Sequence, residues 1–282
     1  MDIEITNVYN DIALPNRGFK NGHGQSFHIV AGEEHILFDV GWKGEILSQN
    51  LASLGINADE IDKLVFSHGH RDHTGALPSL LKARTVSAPI VVFSHPDAWE
   101  PKSVKRLLFH FPFGIPRLSN GVAGKMALRL AKEPVQITGE ISTTGEIPNR
   151  PELEAMEKRG FHKSNGRWVW DRVIDDLSLI LQTRDGLVIV MGCCHAGVLN
   201  TCAKATELFD DNIKAIIGGT HMENFSNEEI SRVGEVLESK YGTPDLYLNH
   251  CTSDRAIGQL RNELGSGKVH DCHVGTVLSF KC

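Results

Sequence analysis

Lys63-Leu64-Val65-Phe66-Ser67-His68-Gly69-His70-Arg71-Asp72-His73-Thr74-Gly75 leads from a short apolar strand into a histidine-rich loop and on toward a helix. The first four residues read as a buried strand. Thr74 to Leu81, with Leu77, Leu80 and Leu81 at helical spacing, reads as the opening of a helix. Between them stand three imidazoles and a carboxylate within six residues. A buried imidazole needs partners for its ring nitrogens, and its pKa near neutrality makes burial costly, so an apolar core has little use for several in a row. Metal ligation does. His68 and His70, at i and i+2 of an extended segment, project to one side, and Asp72 and His73 follow in the next turn. One loop can therefore serve two neighbouring ions. Imidazole and carboxylate suit zinc, and also iron, manganese or nickel.

Upstream, His35-Ile36-Leu37-Phe38-Asp39-Val40-Gly41 is a second apolar strand ending in a carboxylate and a glycine. Asp39 reads either as an ordinary turn aspartate or as the partner that fixes a metal-bound histidine. Through Phe38-Asp39-Val40-Gly41 and the His-x-His-x-Asp-His signature of residues 68–73, the chain resembles the metallo-β-lactamase superfamily, with Ala76 in place of the second glycine of the signature. Within the superfamily it resembles the group containing the archaeal dihydropterin (ribofuranosyl)aminobenzene phosphate synthase. That resemblance is carried by Gly22-His23-Gly24-Gln25-Ser26-Phe27, Gly145-Glu146-Ile147-Pro148, Gly192-Cys193-Cys194-His195-Ala196-Gly197, Gly218-Gly219-Thr220-His221-Met222 and Asn249-His250-Cys251-Thr252, in the family's order. It implies an α/β fold of the metallo-β-lactamase type, a four-layer αββα sandwich forming one domain over residues 1–282, with two divalent transition-metal ions, zinc foremost.

His195 follows the apolar strand Leu187 to Met191, a good place for a ligand at a strand end, and His250 falls where the superfamily has its last metal histidine. The assignment is His68, His70 and His195 to one ion and Asp72, His73 and His250 to the other, with Asp72 also placed to orient the nucleophile or take up a proton. Where the superfamily usually has a bridging aspartate, Cys193 and Cys194 stand instead, as sulfur ligands or as small buried hydrophobes. His221, after the Ile213 to Ile217 strand, reads as a catalytic or substrate-binding residue, or else as a loop histidine bonded to backbone. His23 and His95 are weaker candidates, and His95 precedes Pro96 in a segment that reads as a turn.

The 282 residues, 41% hydrophobic, suffice for a substantial core and for neither a membrane span nor a disordered chain. The start shows no secretion signal, and all six cysteines fall at or after Cys193, a poor pattern for a secreted disulfide framework, so a cytoplasmic protein is expected. A net charge of −6 gives no reason to expect nucleic acid as partner. From Lys102 to Lys132, however, seven Lys or Arg residues meet no Asp or Glu, and Phe109, Phe111 and Phe113 alternate among them. This stretch has little of the pattern of a core element, so residues 96–133 read as an inserted lid offering cations to a phosphate or carboxylate and aromatic faces to a ring, or as a solvated basic loop. Gln136 to Ser142 reads as a strand, and Arg150 to Asp176 as an exposed helix and hairpin with Trp168-Val169-Trp170 in a strand. The Asp175-Asp176 pair is left unassigned.

The leading functional reading is a metal-dependent hydrolase that uses a metal-bridging hydroxide on an ester or phosphoester of a small anionic substrate. Resemblance to the archaeal enzyme offers an alternative, a pterin-dependent synthase releasing diphosphate. A third is a metal-containing ligand-binding protein without useful turnover.

Overall fold

The computed structural model describes residues 2–156 and 158–282. In chain order its strands and helices are β1 (Asp2–Tyr9), β2 (Ser26–Ala31), β3 (Glu34–Phe38), α1 (Gly44–Ser53), β4 (Lys63–Val65), α2 (Arg71–Thr74), α3 (Leu77–Ala83), β5 (Ile90–Ser94), β6 (Lys102–Arg106), β7 (Phe109–Pro112), α4 (Asn120–Ala123), β8 (Met126–Leu130) and β9 (Ile141–Thr143). There follow β10 (Gly160–Ser164), β11 (Arg167–Trp170), β12 (Leu179–Thr183), β13 (Gly186–Met191), α5 (Val198–Phe209), β14 (Ile213–Gly218), α6 (Asn227–Tyr241), β15 (Asp245–Leu248), α7 (Asp254–Leu264), β16 (Val269–Asp271) and β17 (Val277–Lys281). The chain divides into two compact units, each described by itself.

The first unit comprises Met1–Lys132, Glu157–Asp175 and His273–Phe280. Its seven-stranded sheet has the order β17-β1-β2-β3-β4-β5-β8. Strands β3, β4 and β5 are parallel, with Phe38 beside Val65 and Val65 beside Phe93, so the loops after them start at one level. Leu37, Leu64 and Val92 of these strands pack with Leu77, Leu80 and Leu81 of α3 and Leu47 and Leu51 of α1 in one buried cluster. Each such side chain contributes about 1.5–3 kcal/mol by burial. The expected helix from Thr74 is present in two pieces, α2 and α3, broken at Gly75 and Ala76.

The stretch 96–133 is more regular than the sequence suggested. Strand β8 closes one edge of the large sheet, and β6 and β7 form a hairpin in a second sheet of order β11-β10-β6-β7. The alternation of Phe109 and Phe111 is strand spacing, obscured because both rings are exposed and no buried face marks the period.

The second unit comprises Glu133–Met156, Asp176–Cys272 and Lys281–Cys282, built on a sheet of order β16-β15-β14-β13-β12-β9. Strands β13 to β16 are parallel, joined through α5, α6 and α7. Met191, Gly218 and Leu248 stand abreast, so the three segments that carry the candidate histidines leave the sheet side by side at its carboxyl end. The position is the one where open α/β sheets place ligands. The capping box of Ser226 and Glu229 starts α6, and Gly242 in the left-handed region ends it.

Two expectations in this unit are corrected. Of the strand expected over Gln136 to Ser142, only the end forms, as the start of β9 at Ile141; the residues before it make a turn, in which Ile137 and Thr138 both donate to the Ile141 carbonyl and Gln136 bridges to Ser142. The helix expected after Arg150 is absent from the described residues. The backbone N–H groups of Glu152 and Ala155 are taken by the Asn200 side chain and the His195 carbonyl instead of an i→i−4 ladder.

Candidate functional site

In the first unit the sequence motif becomes a folded cluster. Val65 ends β4, and Ser67, two residues on, lies within reach of Asp39, which directly follows the neighbouring strand. Asp39 is fully buried and adopts φ +61°, a left-handed conformation that aspartate and asparagine tolerate better than other side chains. Its Oδ1 accepts from the Ser67 N–H at 2.8 Å, and its Oδ2 accepts from Ser67 Oγ at 2.7 Å and from His73 Nδ1 at 2.7 Å. The second of the two readings of Asp39 is therefore the one its contacts match.

The tautomers follow from this chain of contacts. A carboxylate only accepts, so Ser67 spends its hydroxyl proton on Asp39 and its oxygen accepts from His68 Nδ1 at 2.9 Å. His73 Nδ1 carries a proton for the same reason. In the neutral form each ring then has its lone pair on Nε2, the state in which histidine ligates metal.

His68, His70 and His73 are all buried, with ring centroids of His68 4.6 Å from His70 and 4.3 Å from His73. Asp72 Oδ2 lies 3.8 Å from His73 Nε2 and 3.4 Å from His23 Nε2. His23, a weak candidate from sequence, thus stands between Asp72 and Asp11, whose Oδ1 is 3.0 Å from its Nδ1. His95 instead caps a short turn, its Nδ1 accepting from the Asp97 N–H.

Burial lowers the pKa of His70, the nearby Lys102 ammonium adds to this, and Asp72, Asp171 and Asp175 oppose it without reversing the shift. This direction favours the neutral ring, the form in which histidine binds metal.

Lys102 was expected among the cations offered to a substrate. It is buried, with Nζ 2.8 Å from Asp171 and 2.9 Å from Asp175, because those two carboxylates enclose it on adjacent segments of the same unit. Asp175 Oδ2 also accepts the Gly69 N–H at 2.8 Å. A Cβ on Gly69 would lie 2.2 Å from the Ala98 carbonyl oxygen, so only glycine fits between His68 and His70. From the 96–133 stretch, Phe113 approaches this loop. Its ring centroid is 5.3 Å from that of His70, and its carbonyl accepts the Arg71 N–H at 2.8 Å.

In the second unit His195 is buried and its Nδ1 donates to the Ala155 carbonyl at 3.0 Å, which again puts the lone pair on Nε2. Its loop is fixed by Asp176, whose Oδ2 accepts the Ala196 N–H at 2.9 Å. The adjacent acids Asp175 and Asp176, unassigned from sequence, therefore each hold the backbone of a histidine-bearing loop in their own unit. No sequence signal pairs a carboxylate with a backbone N–H so far along the chain.

His221, at φ +49°, sits with its ring centroid 4.5 Å from that of His195. Thr220 and Thr252, hydroxyls 3.1 Å apart, tie its loop to the one carrying the half-buried His250. Cys194 packs in the apolar cluster with Leu199 and Cys202, and burial, reinforced by Asp176, raises its thiol well above the ordinary value. It is a small core residue, whereas Cys193 has one donor atom within 4.8 Å of those of His221 and Cys251.

Among the described residues no helix is long and apolar enough to cross a membrane.

A model of the metallo-beta-lactamase superfamily matches residues 20–170. The chain is 30% identical to the 7,8-dihydropterin-6-methyl-4-(beta-D-ribofuranosyl)-aminobenzene-5'-phosphate synthase of Methanocaldococcus jannaschii, over 99% of this chain and 97% of that protein. Among solved structures it is similar to Tm1679, described as a metal-dependent hydrolase of the beta-lactamase superfamily, with TM-score 0.81 and 26% identity over 98% of each chain. Human tRNase Z, short form, shares the fold at TM-score 0.52 and 14% identity over the full length of both chains.

Proposed function

Since the chain belongs to the metallo-β-lactamase superfamily, whose fold it has as the histidine motif led us to expect, we propose that it is a metal-dependent hydrolase of an ester or phosphoester in a small anionic molecule. The observation that carries this reading is that Nδ1 of His68, His73 and His195 each meets an oxygen at 2.7–3.0 Å, from which a common tautomer follows. Each has Nδ1 committed to a hydrogen bond, and so each has its Nε2 lone pair suited to a cation. The donor set fits zinc, iron or manganese.

The ligand assignment read from sequence stands as part of the proposal, with His68, His70 and His195 for one ion and Asp72, His73 and His250 for the other. When bound, two such ions supply Lewis acidity and water of lowered pKa. The chain's own residues do the rest. Asp39 and Ser67 fix the rings of His73 and His68, and Asp175 and Asp176 fix the two histidine-bearing loops. Asp72, which faces His23, accepts or returns a proton, and His221 holds the substrate's anionic group or developing charge. Phe113, beside His70, offers an aromatic wall to a ring.

The similarity to the M. jannaschii synthase, over nearly the whole chain, favours a second reading in which a bond to an aromatic amine forms as diphosphate leaves. The test of both is elemental analysis of protein purified without added metal, beside ester and phosphodiester assays with and without chelator. About two equivalents of metal and chelator-sensitive hydrolysis support the first reading, while diphosphate release dependent on an aromatic amine supports the second. His68→Ala and Asp72→Ala are expected to lose activity and bound metal; retention of both would refute the assignment.

A further inference from the structure

The second unit holds a sulfur-containing cluster that extends beyond the six assigned ligands. Cys193, His221 and Cys251 are buried, and one donor atom of each lies within 4.8 Å of the other two. They leave the carboxyl ends of three neighbouring parallel strands, β13, β14 and β15, at aligned positions.

Two further observations bear on Cys251. Its Sγ accepts the His221 backbone N–H at 3.2 Å, the kind of hydrogen bond that stabilises metal-bound sulfur. Its space is kept open by Gly219, where a Cβ would lie 2.7 Å from that Sγ and 2.6 Å from the Gly192 carbonyl oxygen.

We propose that Cys193, His221 and Cys251 form a ligand set for a thiophilic d10 cation such as zinc, cadmium or copper(I). Zinc–sulfur bonds of about 2.3 Å at a tetrahedral angle place two sulfurs roughly 3.8 Å apart. The observed limit of 4.8 Å therefore calls for closure of no more than about 1 Å. Two sulfur–metal bonds form, and the two thiol protons pass to solvent with no change of oxidation state. The Cys251 proton is the one now directed at the Cys193 carbonyl over 3.7 Å.

His221 is also the group offered to substrate, so an ion held here competes with substrate. That consequence rests on the proposed function, and the site itself does not.

The test is titration of metal-free protein with cadmium, followed by the ultraviolet thiolate-to-cadmium absorbance and by bound equivalents. The wild type is expected to take up one equivalent more than Cys251→Ser, and the two-sulfur absorbance is expected to fall in both Cys251→Ser and Cys193→Ser. Absorbance that survives intact in Cys251→Ser, or none in the wild type, overturns the proposal. Should Cys251→Ser fail to fold, X-ray absorption on zinc-loaded wild type decides it. Two sulfurs per protein at about 2.3 Å support the site, and a shell of nitrogen and oxygen alone overturns it. Parallel turnover assays separate the two readings, since absent hydrolysis with the sulfur signature intact retires the hydrolase and still supports this site.

Discussion

Asp39→Asn tests whether the hydrogen-bond chain behind the histidines governs metal affinity. The backbone at φ +61° accepts asparagine, so the substitution alters chemistry and not conformation. Asparagine can keep the bond from the Ser67 N–H through its carbonyl oxygen, and the Ser67 hydroxyl can rotate to accept from Nδ2. The bond from His73 cannot survive unchanged, because an amide N–H now faces Nδ1–H at a site where the heavy atoms are 2.7 Å apart. The ring must either keep its tautomer against that clash or move its proton to Nε2 and lose the lone pair there. Either way a charge-assisted bond of about 1.5–3 kcal/mol no longer favours the ligating state, which corresponds to a roughly 10–100-fold loss of metal affinity. The metal-free protein, able to rearrange its protons, is expected to lose less, about 1–2 kcal/mol. Competition against a chelator of known affinity measures the first quantity and urea denaturation the second. Metal affinity within about twofold of wild type would refute the reasoning.

Three other substitutions follow from the same structure. Burial, helped by His35, lowers His28 from 6.5 to about 4. The unfolded ring therefore binds a proton at a pH where the folded one does not, and stability falls as pH drops from 6.5 toward about 4, by roughly 3 kcal/mol in all. Urea denaturation across this window should show a steeper slope in the wild type than in His28→Leu, by the His28 share; equal slopes would rule it out. Lys102→Met leaves Asp171 and Asp175 buried without their cation and should cost about 3–5 kcal/mol, partly recovered by adding Asp175→Asn. An unchanged denaturation midpoint for the single variant would contradict this. Gly69→Ala forces its Cβ toward the Ala98 carbonyl and is expected to cost about 1–3 kcal/mol and to lower metal content, read by elemental analysis of the folded protein.

The parts of the site legible in sequence are those encoded locally. The β4 strand, the loop from His68 to His73 and the following helix lie in one contiguous stretch whose periods change where the chemistry begins. His195, His221 and His250 were legible for a related reason, since each follows an apolar run that becomes a parallel strand. What escaped reading depends on contacts distant along the chain. Lys102 looks like a surface cation until Asp171 and Asp175 are folded around it. Cys251 looks inert until β13 and β15 are placed either side of β14. The segment after Arg150 has helical composition, yet Asn200 and His195 claim its amides.

The placing of β17 beside β1 bears on synthesis as well as stability. Strand β1 leaves the ribosome long before the residues that cover its outer edge, a wait on the order of 15–55 s at about 5–20 residues per second. For that interval the nascent chain carries an uncovered strand edge of the kind that invites pairing with another chain. The Asn7 N–H and carbonyl find Thr276 and Gly275 only at the end of the wait. In a crowded polysome, the edge of β1 is thus where a neighbouring nascent chain or a chaperone would first take hold.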